Sequence, residues 1–298
     1  MRWGIIFGAA LILLIVPFLS GARAADVIAV RSQKSKFYDQ AIDGFKSTCG
    51  CSVQVVDYSA GVPEMLRRDP PLAVLAVGSR AFRLLKNEMK ELPLYYIMVL
   101  PSELVDPVRN STGVAAAVAP RIWIDTLLDS LEEVRKIGIL YSEKNSGSYA
   151  RDIDEQARRK GIKAILKEAH SPKEVPLLIE RFHDIDAFLL LPDAFVANTE
   201  AVNYIMLHCY QNKIPIVSFT KRHLELGALL SLDIEVPEMG KQAGELAKAS
   251  MRQGFYRTGK REYARRAAVS VNFEVAEKLK VRMRQSVRKR GKVKGPTR

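Results

Sequence analysis

The chain holds three cysteines, four histidines and two tryptophans in 298 residues. Three cysteines cannot build a disulfide framework, and an odd count in an oxidising compartment leaves at least one thiol unpaired. The histidines, His170, His183, His208 and His223, are dispersed, and none has a metal-ligand companion at helical spacing. There is no His-Glu-x-x-His, no Gly-x-Ser-x-Gly and no glycine-rich phosphate loop. No metal, cofactor or catalytic residue is implied, and an enzyme is not expected. Sequence order alone does not forbid a Ser, His and Asp set from assembling in space.

Acidic residues are missing from one segment. Lys278 to Arg298 carries ten basic residues and no acid, and Arg2 and Arg23 lie near the other end. The formal charge of +13 is therefore concentrated there, and residues 25–277 are within about one charge of neutral. A nucleic-acid-binding surface spreads its cations where phosphates meet it, so this distribution argues against nucleic acid. Long apolar runs are also scarce. The one long run, Trp3–Leu19, follows Arg2 and precedes Ser20-Gly21-Ala22-Arg23-Ala24. Those are the three parts of a secretory signal, with cleavage expected after Ala24. The competing reading is an uncleaved anchor, since 17 residues nearly span a bilayer. No cysteine follows Leu19-Ser20-Gly21, which argues against a lipid-anchored form.

What is present is a packed globular body: 48% hydrophobic and 27% charged. Short β-rich runs alternate with amphipathic helical runs. Strands are predicted at Val27–Val30, Val53–Tyr58, Leu72–Val77 and Leu94–Leu100. Helices are predicted at Phe37–Thr48, Val62–Arg68 and Ala81–Lys90. Uninterrupted apolar strands between helices mean a parallel sheet covered on both faces. The rhythm restarts at Val114–Val118. A helix opens at Pro120 and runs to Val134, and strands follow at Lys136–Tyr141, Lys163–Leu166, Ala187–Leu191, Ile214–Ser218, Ala228–Leu232 and Ala267–Val271. Helices are predicted at Ser148–Lys160, Lys173–Phe182, Thr199–Gln211 and Val236–Arg252. Two successive β-α runs predict an α/β protein with two doubly wound parallel-sheet lobes.

From Val114 onward a set of segments becomes recognisable: Lys136-Ile137-Gly138-Ile139-Leu140-Tyr141, Leu191-Pro192-Asp193, Lys213 to Ser218, Gly227 to Asp233, Met239-Gly240-Lys241-Gln242-Ala243-Gly244, and Val269-Ser270-Val271-Asn272. In this order they resemble the substrate-binding proteins of ABC importers, in the family that includes tryptophan- and tyrosine-binding members. The likeness covers most of residues 26–281. It departs at Gly78-Ser79-Arg80-Ala81, where the family commonly has a Thr-Pro or similar small polar turn.

The resemblance implies the type I periplasmic binding protein fold, with the lobes joined by a three-strand hinge crossed near 113–119, 232–237 and 263–268. The expected division is a signal peptide at 1–24, a first lobe of 25–115 plus about 236–265, a second lobe of 116–235 plus about 266–281, and a basic disordered tail at 282–298. It also implies a periplasmic protein that captures a small polar solute, an amino acid or related carboxylate, for an ABC permease. A monomer is expected. The alternative is a sensing or partner-binding module of the same fold, not coupled to import.

Ligands of open α/β sheets bind beyond the carboxyl ends of strands. That rule selects Ser32, Gln33, Phe37, Gly78, Ser79, Pro101 and Ser102 in the first half. In the second half it selects Tyr141, Ser142, Asn145, Ser148, Pro192, Asp193, Phe195, Ser218, Phe219, Thr220 and Asp233. Helix starts at Ser79 and Ser148 would offer N–H groups to a carboxylate, or the two serines would simply cap their helices. Asp193 would accept an ammonium or cap a helix of its own, and Asp233 would serve ligand or hinge. Phe37, Tyr141, Phe195 and Phe219 would supply apolar walls or belong to the core.

Three features stay open at this level. Lys221 and Arg222 form a basic pair at a cleft edge or on plain solvated surface. The basic tail touches an acidic partner or anionic lipid, or is a flexible solubilising end. Cys49-Gly50-Cys51 reads as redox or metal-binding chemistry, or as a turn with ordinary core thiols. The two cysteines stand too close in sequence for an easy mutual bridge.

Overall fold

The computed structural model describes residues 25–104, 110–254 and 261–285. The first half runs β1 (Val27–Arg31), α1 (Lys36–Cys49), β2 (Val53–Asp57), α2 (Val62–Arg68), β3 (Ala73–Val77), α3 (Ser79–Glu88), β4 (Leu94–Val99) and β5 (Ser111–Val118). Then come α4 (Pro120–Ser130), β6 (Lys136–Tyr141), α5 (Ser148–Arg159), β7 (Lys163–Glu168), α6 (Val175–Ile179), β8 (Ala187–Leu190), α7 (Thr199–Gln211), β9 (Ile216–Ser218) and β10 (Leu230–Ile234). The chain closes with α8 (Val236–Arg252), β11 (Arg261–Ala264), β12 (Ala267–Val271) and α9 (Phe273–Leu279).

Two six-stranded sheets result, ordered β11-β5-β4-β3-β1-β2 and β12-β10-β9-β8-β6-β7. Each has an apolar cluster on both faces, which is why β3 and β8 read as unbroken apolar runs. Among the described strands of the two sheets, the neighbours pair in parallel except β12 on β10, an antiparallel edge. The chain passes between sheets three times: after β5, between β10 and α8, and between β11 and β12. The Ala119 amide donates to the Ala264 carbonyl at 2.9 Å, tying the first link to the third. Tyr263 spans the joint. Its ring lies 5.1 Å from that of Tyr149 in the second lobe, and its hydroxyl donates to Asp152 at 2.6 Å.

Helix α8 returns to the first sheet and packs on α1 at near backbone contact. A Cβ at Gly240 would stand 2.1 Å from the Ala41 carbonyl oxygen, and one at Gly44 would stand 2.3 Å from that of Pro237. Thr48 Oγ1 donates to the Lys241 carbonyl at 2.8 Å across this seam.

Local expectations change in five places. The helix from Pro120 stops at Ser130, not Val134, because Leu131 turns extended and pairs with Met283. The same pairing corrects the tail. Residues 282–285 are pinned by Glu132 N to Arg282 O and Arg284 N to Ser130 O, with the Met283 side chain buried. The rest of the tail, from 286, and the leader at 1–24 lie outside the described residues. The helix expected at Lys173–Phe182 is split into a short 3-10 turn and α6, since Pro176 brings no amide to a regular first turn. Strand β11 was not legible: Arg-Glu-Tyr-Ala is short and charged, and it becomes a strand only by pairing with β5.

The fifth change is the Cys-Gly-Cys turn. Cys49 and Cys51 are bridged, with Cα atoms 5.4 Å apart. The bridge forms because Gly50 adopts φ 66 just past the end of α1 and folds the chain back on itself. Cys209 is the buried free thiol, and burial pushes it up to about 12.

Candidate functional site

Both sheets end their parallel strands on facing edges. The 3-10 turn Pro101–Leu104 after β4 meets the π-helical turn Glu143–Gly147 after β6, so the carboxyl ends of the two lobes look at one another. The candidate residues fall on these loops, but the structure gives them different work.

In the first lobe, Ser32 is buried and its Oγ accepts from the Ala81 amide at 3.0 Å. Gly78 sits behind it at φ 90. A Cβ there would stand 2.5 Å from the Tyr38 hydroxyl and 2.7 Å from Ser32 Oγ, so only glycine fits. Gly78, not Ser79, is the N-cap of α3, and Ser79 Oγ instead accepts from the Leu100 amide at 3.1 Å. Ser79 thus joins the ends of β3 and β4, correcting its expected capping role. Gln33 is exposed, and Phe37 is 63% exposed at the start of α1, so this ring belongs to no core. Ser102 is half-buried in the turn that meets the second lobe.

In the second lobe, Asp193 is buried and fully engaged. One oxygen accepts from Ser142 N and Oγ (2.8 Å each) and Ser146 Oγ (2.5 Å). The other accepts from the amides of Phe195 (2.8 Å) and Val196 (3.2 Å). Five donors exceed the roughly four lone-pair sites of a carboxylate. The aspartate therefore stitches the β6 loop to the β8 loop. It caps an irregular turn, not the helix expected there, since α7 begins at Thr199 under Asn198. Asn145 Nδ2 donates to Ser142 Oγ at 2.6 Å and joins this network. Ser148 opens α5 one residue inside the helix, whose N-cap is Gly147, so it is no cap either. Tyr141 and Phe195 are half-buried beside this network. Burial, reinforced by Glu168 and Glu143, raises the Tyr141 hydroxyl and keeps it a neutral donor.

A second cluster forms at β9 and β10. Buried Ser218 bonds His223 Nδ1 through its Oγ at 2.5 Å, and the Phe219 ring stands edge-on to that imidazole. Thr220 Oγ1 accepts from the Arg222 amide at 3.5 Å. Asp233 accepts from the Lys221 amide (3.0 Å) and Ser231 Oγ (2.9 Å), one donor per oxygen. Burial lowers His223, with Asp233 opposing and Arg222 assisting. Ser218, His223 and Asp233 thus lie together, yet Ser218 has no exposed surface and cannot meet a substrate as a nucleophile.

Sequence reasoning missed Ser146, Tyr38 and His223. Ser146 follows Asn145 in an ordinary polar loop, and only the π-helical turn aims its hydroxyl at Asp193. Among the described residues no group of three His, Cys, Asp or Glu side chains is placed to hold a metal ion. None of the described helices is long and apolar enough to cross a membrane.

Two facing sheets joined by three links invite comparison with known proteins. The profile of the ABC transporter substrate binding protein family matches residues 62–294. The chain belongs to this family. A curated relative, the tyrosine-binding protein of Clostridioides difficile (strain R20291), is 23% identical over 184 residues, 58% of this chain and 53% of that protein. The chain thus spans about half the length of the curated relative it matches.

Among solved structures, the ligand-free, open form of a substrate binding protein with adhesive properties from Clostridium difficile aligns with a TM-score of 0.65. It is 18% identical and covers 87% of this chain and 96% of that one. An ABC domain from Streptococcus pneumonia in complex with L-Trp aligns at 0.58 and 16% identity, covering 88% and 97%. At these identities the likeness is one of fold: α/β, two parallel-dominated sheets, the type I periplasmic binding protein arrangement. The family is one of binding proteins, not of enzymes.

Proposed function

We propose that this chain is an exported solute-binding protein. It captures a small polar ligand, an amino acid or related carboxylate, between its lobes and hands it to an ABC permease as a periplasmic monomer. The observation that carries this reading is the pair of facing loop sets, Pro101–Leu104 against Glu143–Gly147, at the carboxyl ends of both sheets. The leader composition of Met1–Ala24 supports export. The relatives whose names mention tyrosine and L-Trp support the ligand class.

Capture follows from the architecture. Each lobe is a rigid sheet with two packed faces, and three short links concentrate motion at the joint. A ligand touching both loop sets gains contacts only when the lobes close, so it shifts the population towards the closed form. Ser79, Ser102, Tyr141, Thr220 and Asp233 supply polar contacts, and the exposed Phe37 ring supplies an apolar one.

The test is a thermal-shift screen of residues 25–298 against amino acids and small carboxylates. A ligand at 100 times Kd stabilises the folded state by about 2.7 kcal/mol. The expected result is a reproducible rise that is reduced in Phe37→Ala and, for a ligand bearing an amino group, in Asp233→Asn. A flat response in a cooperatively folded sample would overturn the reading in favour of a sensing or partner-binding module.

A further inference from the structure

The Cys49–Cys51 bridge has no part in solute capture. It lies at the far end of α1, just before the amino end of β2 and away from the carboxyl ends of the strands, and closes a loop over a single intervening residue. So short a ring removes little entropy from the unfolded chain, so the bond is a poor structural staple. Its surroundings are unusual instead. Gly50 is exposed, Cys51 is half-buried and Cys49 is buried. The Lys248 ammonium stands 4.0 Å from where a Cβ on Gly50 would be. Lys46, Lys248 and Arg252 line a surface concavity of about 440 Å3 beside the bridge. Glu245, the carboxylate lining it among the described residues, is held by both terminal nitrogens of Arg265, at 2.7 and 2.8 Å. The concavity is thus an accessible cationic seat next to a disulfide. The Cys51 amide donates to Cys49 Sγ at 3.2 Å, a bond that strengthens when that sulfur becomes a thiolate.

We propose that Cys49–Cys51 is an exchange-active disulfide whose cationic concavity selects small thiols bearing carboxylates. An incoming thiolate attacks the Sγ of Cys51, the more exposed of the two residues. A bond forms between the two sulfurs, the Cys49–Cys51 bond breaks, and Cys49 leaves as a thiolate that takes a proton from water. A second thiolate attacks the donor sulfur of the mixed disulfide and releases Cys51. Two thiols are oxidised to one disulfide, and the protein gains two electrons and two protons. The reverse direction oxidises the protein pair by the same steps. Lys46, Lys248 and Arg252 act by raising the local concentration of the anionic thiol and stabilising the sulfur charge.

The experiment uses the folded chain from residue 25. The oxidised protein is first titrated with a thiol reagent under denaturing conditions, where one free thiol, Cys209, is expected. Three free thiols would overturn the proposal at once. The native protein is then reduced with glutathione, with neutral 2-mercaptoethanol and with cationic cysteamine, and followed by intact mass and alkylation. Reduction of the pair is expected under native conditions while Cys209 stays unlabelled. In Cys49→Ser the lone Cys51 thiol is expected to attack added oxidised glutathione, forming the Cys51–glutathione mixed disulfide and releasing one glutathione thiol. Lys248→Glu with Arg252→Glu is expected to slow the glutathione reaction about three- to fivefold more than that of the neutral thiol, which shares the thiolate charge but lacks the carboxylates. Raised salt should reproduce that loss in the unaltered protein. A pair reduced only on unfolding, or equal slowing for all three thiols, would overturn the proposal. Circular dichroism of each variant separates these outcomes from misfolding.

Discussion

Removing the Asp193 carboxylate tests how the second lobe is held together. Asp193→Ala strands five donors that the protein itself supplies. The two serine hydroxyls can rotate to other acceptors. The amides of Ser142, Phe195 and Val196 are fixed by the backbone and cannot. An unmet buried group costs about 1–3 kcal/mol, and water entering the small space recovers part of this. The expected loss is about 3–5 kcal/mol. For a chain of this size each kcal/mol moves the midpoint by roughly 2–4 °C, so a fall of about 10 °C is expected. Asp193→Asn keeps one acceptor oxygen and should lose roughly half as much. Urea denaturation read by circular dichroism measures the loss, and the slope shows whether the transition stays cooperative. A loss below about 1 kcal/mol for Asp193→Ala would refute the assignment of this carboxylate to the fold.

Three further outcomes follow from the packing. Gly240→Ala drives a methyl onto the Ala41 carbonyl, backbone against backbone, and should destabilise the first lobe by at least about 3 kcal/mol in urea melts. Tyr149→Phe removes the acceptor of Trp123 Nε1 (2.7 Å) and a donor to Val118, all buried; about 2–4 kcal/mol should be lost, with altered tryptophan fluorescence. His223 has its pKa lowered on folding, so the unfolded chain takes up the proton first. Stability should therefore be full above the ordinary value of 6.5 and decline as pH falls towards the folded value, and His223→Gln should decline less between pH 7.5 and 5.5.

What the sequence made legible was the alternation, because buried parallel strands are almost pure apolar runs and leave little ambiguity. Leu72–Val77 and Ala187–Leu191 declare themselves that way. Val236–Arg252 was legible as a helix, but its seat against α1 depends on Gly44 and Gly240 meeting across nearly two hundred residues. Arg261–Ala264 was illegible because a short charged segment becomes a strand only when β5 offers it an edge. The Cys49–Cys51 bridge was discounted on spacing, and the left-handed Gly50 supplies the reversal that the spacing argument left out. In the candidate site, the residues that the strand-end rule chose lie at the ends of the parallel strands or on the segments just after them, as their order in the sequence implied. The rule could not say which polar groups the loops use on themselves, since that depends on donor positions no linear reading contains.

Asp193 and Asp233 show why that distinction matters for the ligand. Each is an acid at a strand end; by sequence alone Asp193 is the candidate for an ammonium or a helix cap, and Asp233 for ligand or hinge. Counting donors separates them. Asp193 has more donors than lone-pair sites, so an added ammonium would have to displace bonds that hold two loops. Asp233 has one donor per oxygen and keeps about two acceptor sites open. On the proposed reading, an amino group therefore goes to Asp233. Asp233→Asn should weaken an amino acid by about 1.5–3 kcal/mol, roughly ten- to a hundredfold in Kd, by loss of a charge-assisted bond. The same variant should scarcely change binding of the matching deaminated acid, because that ligand presents no cation. Calorimetric titration of both ligands against both proteins decides the matter. Equal weakening of the two would mean that Asp233 holds the joint between the lobes and not the ligand.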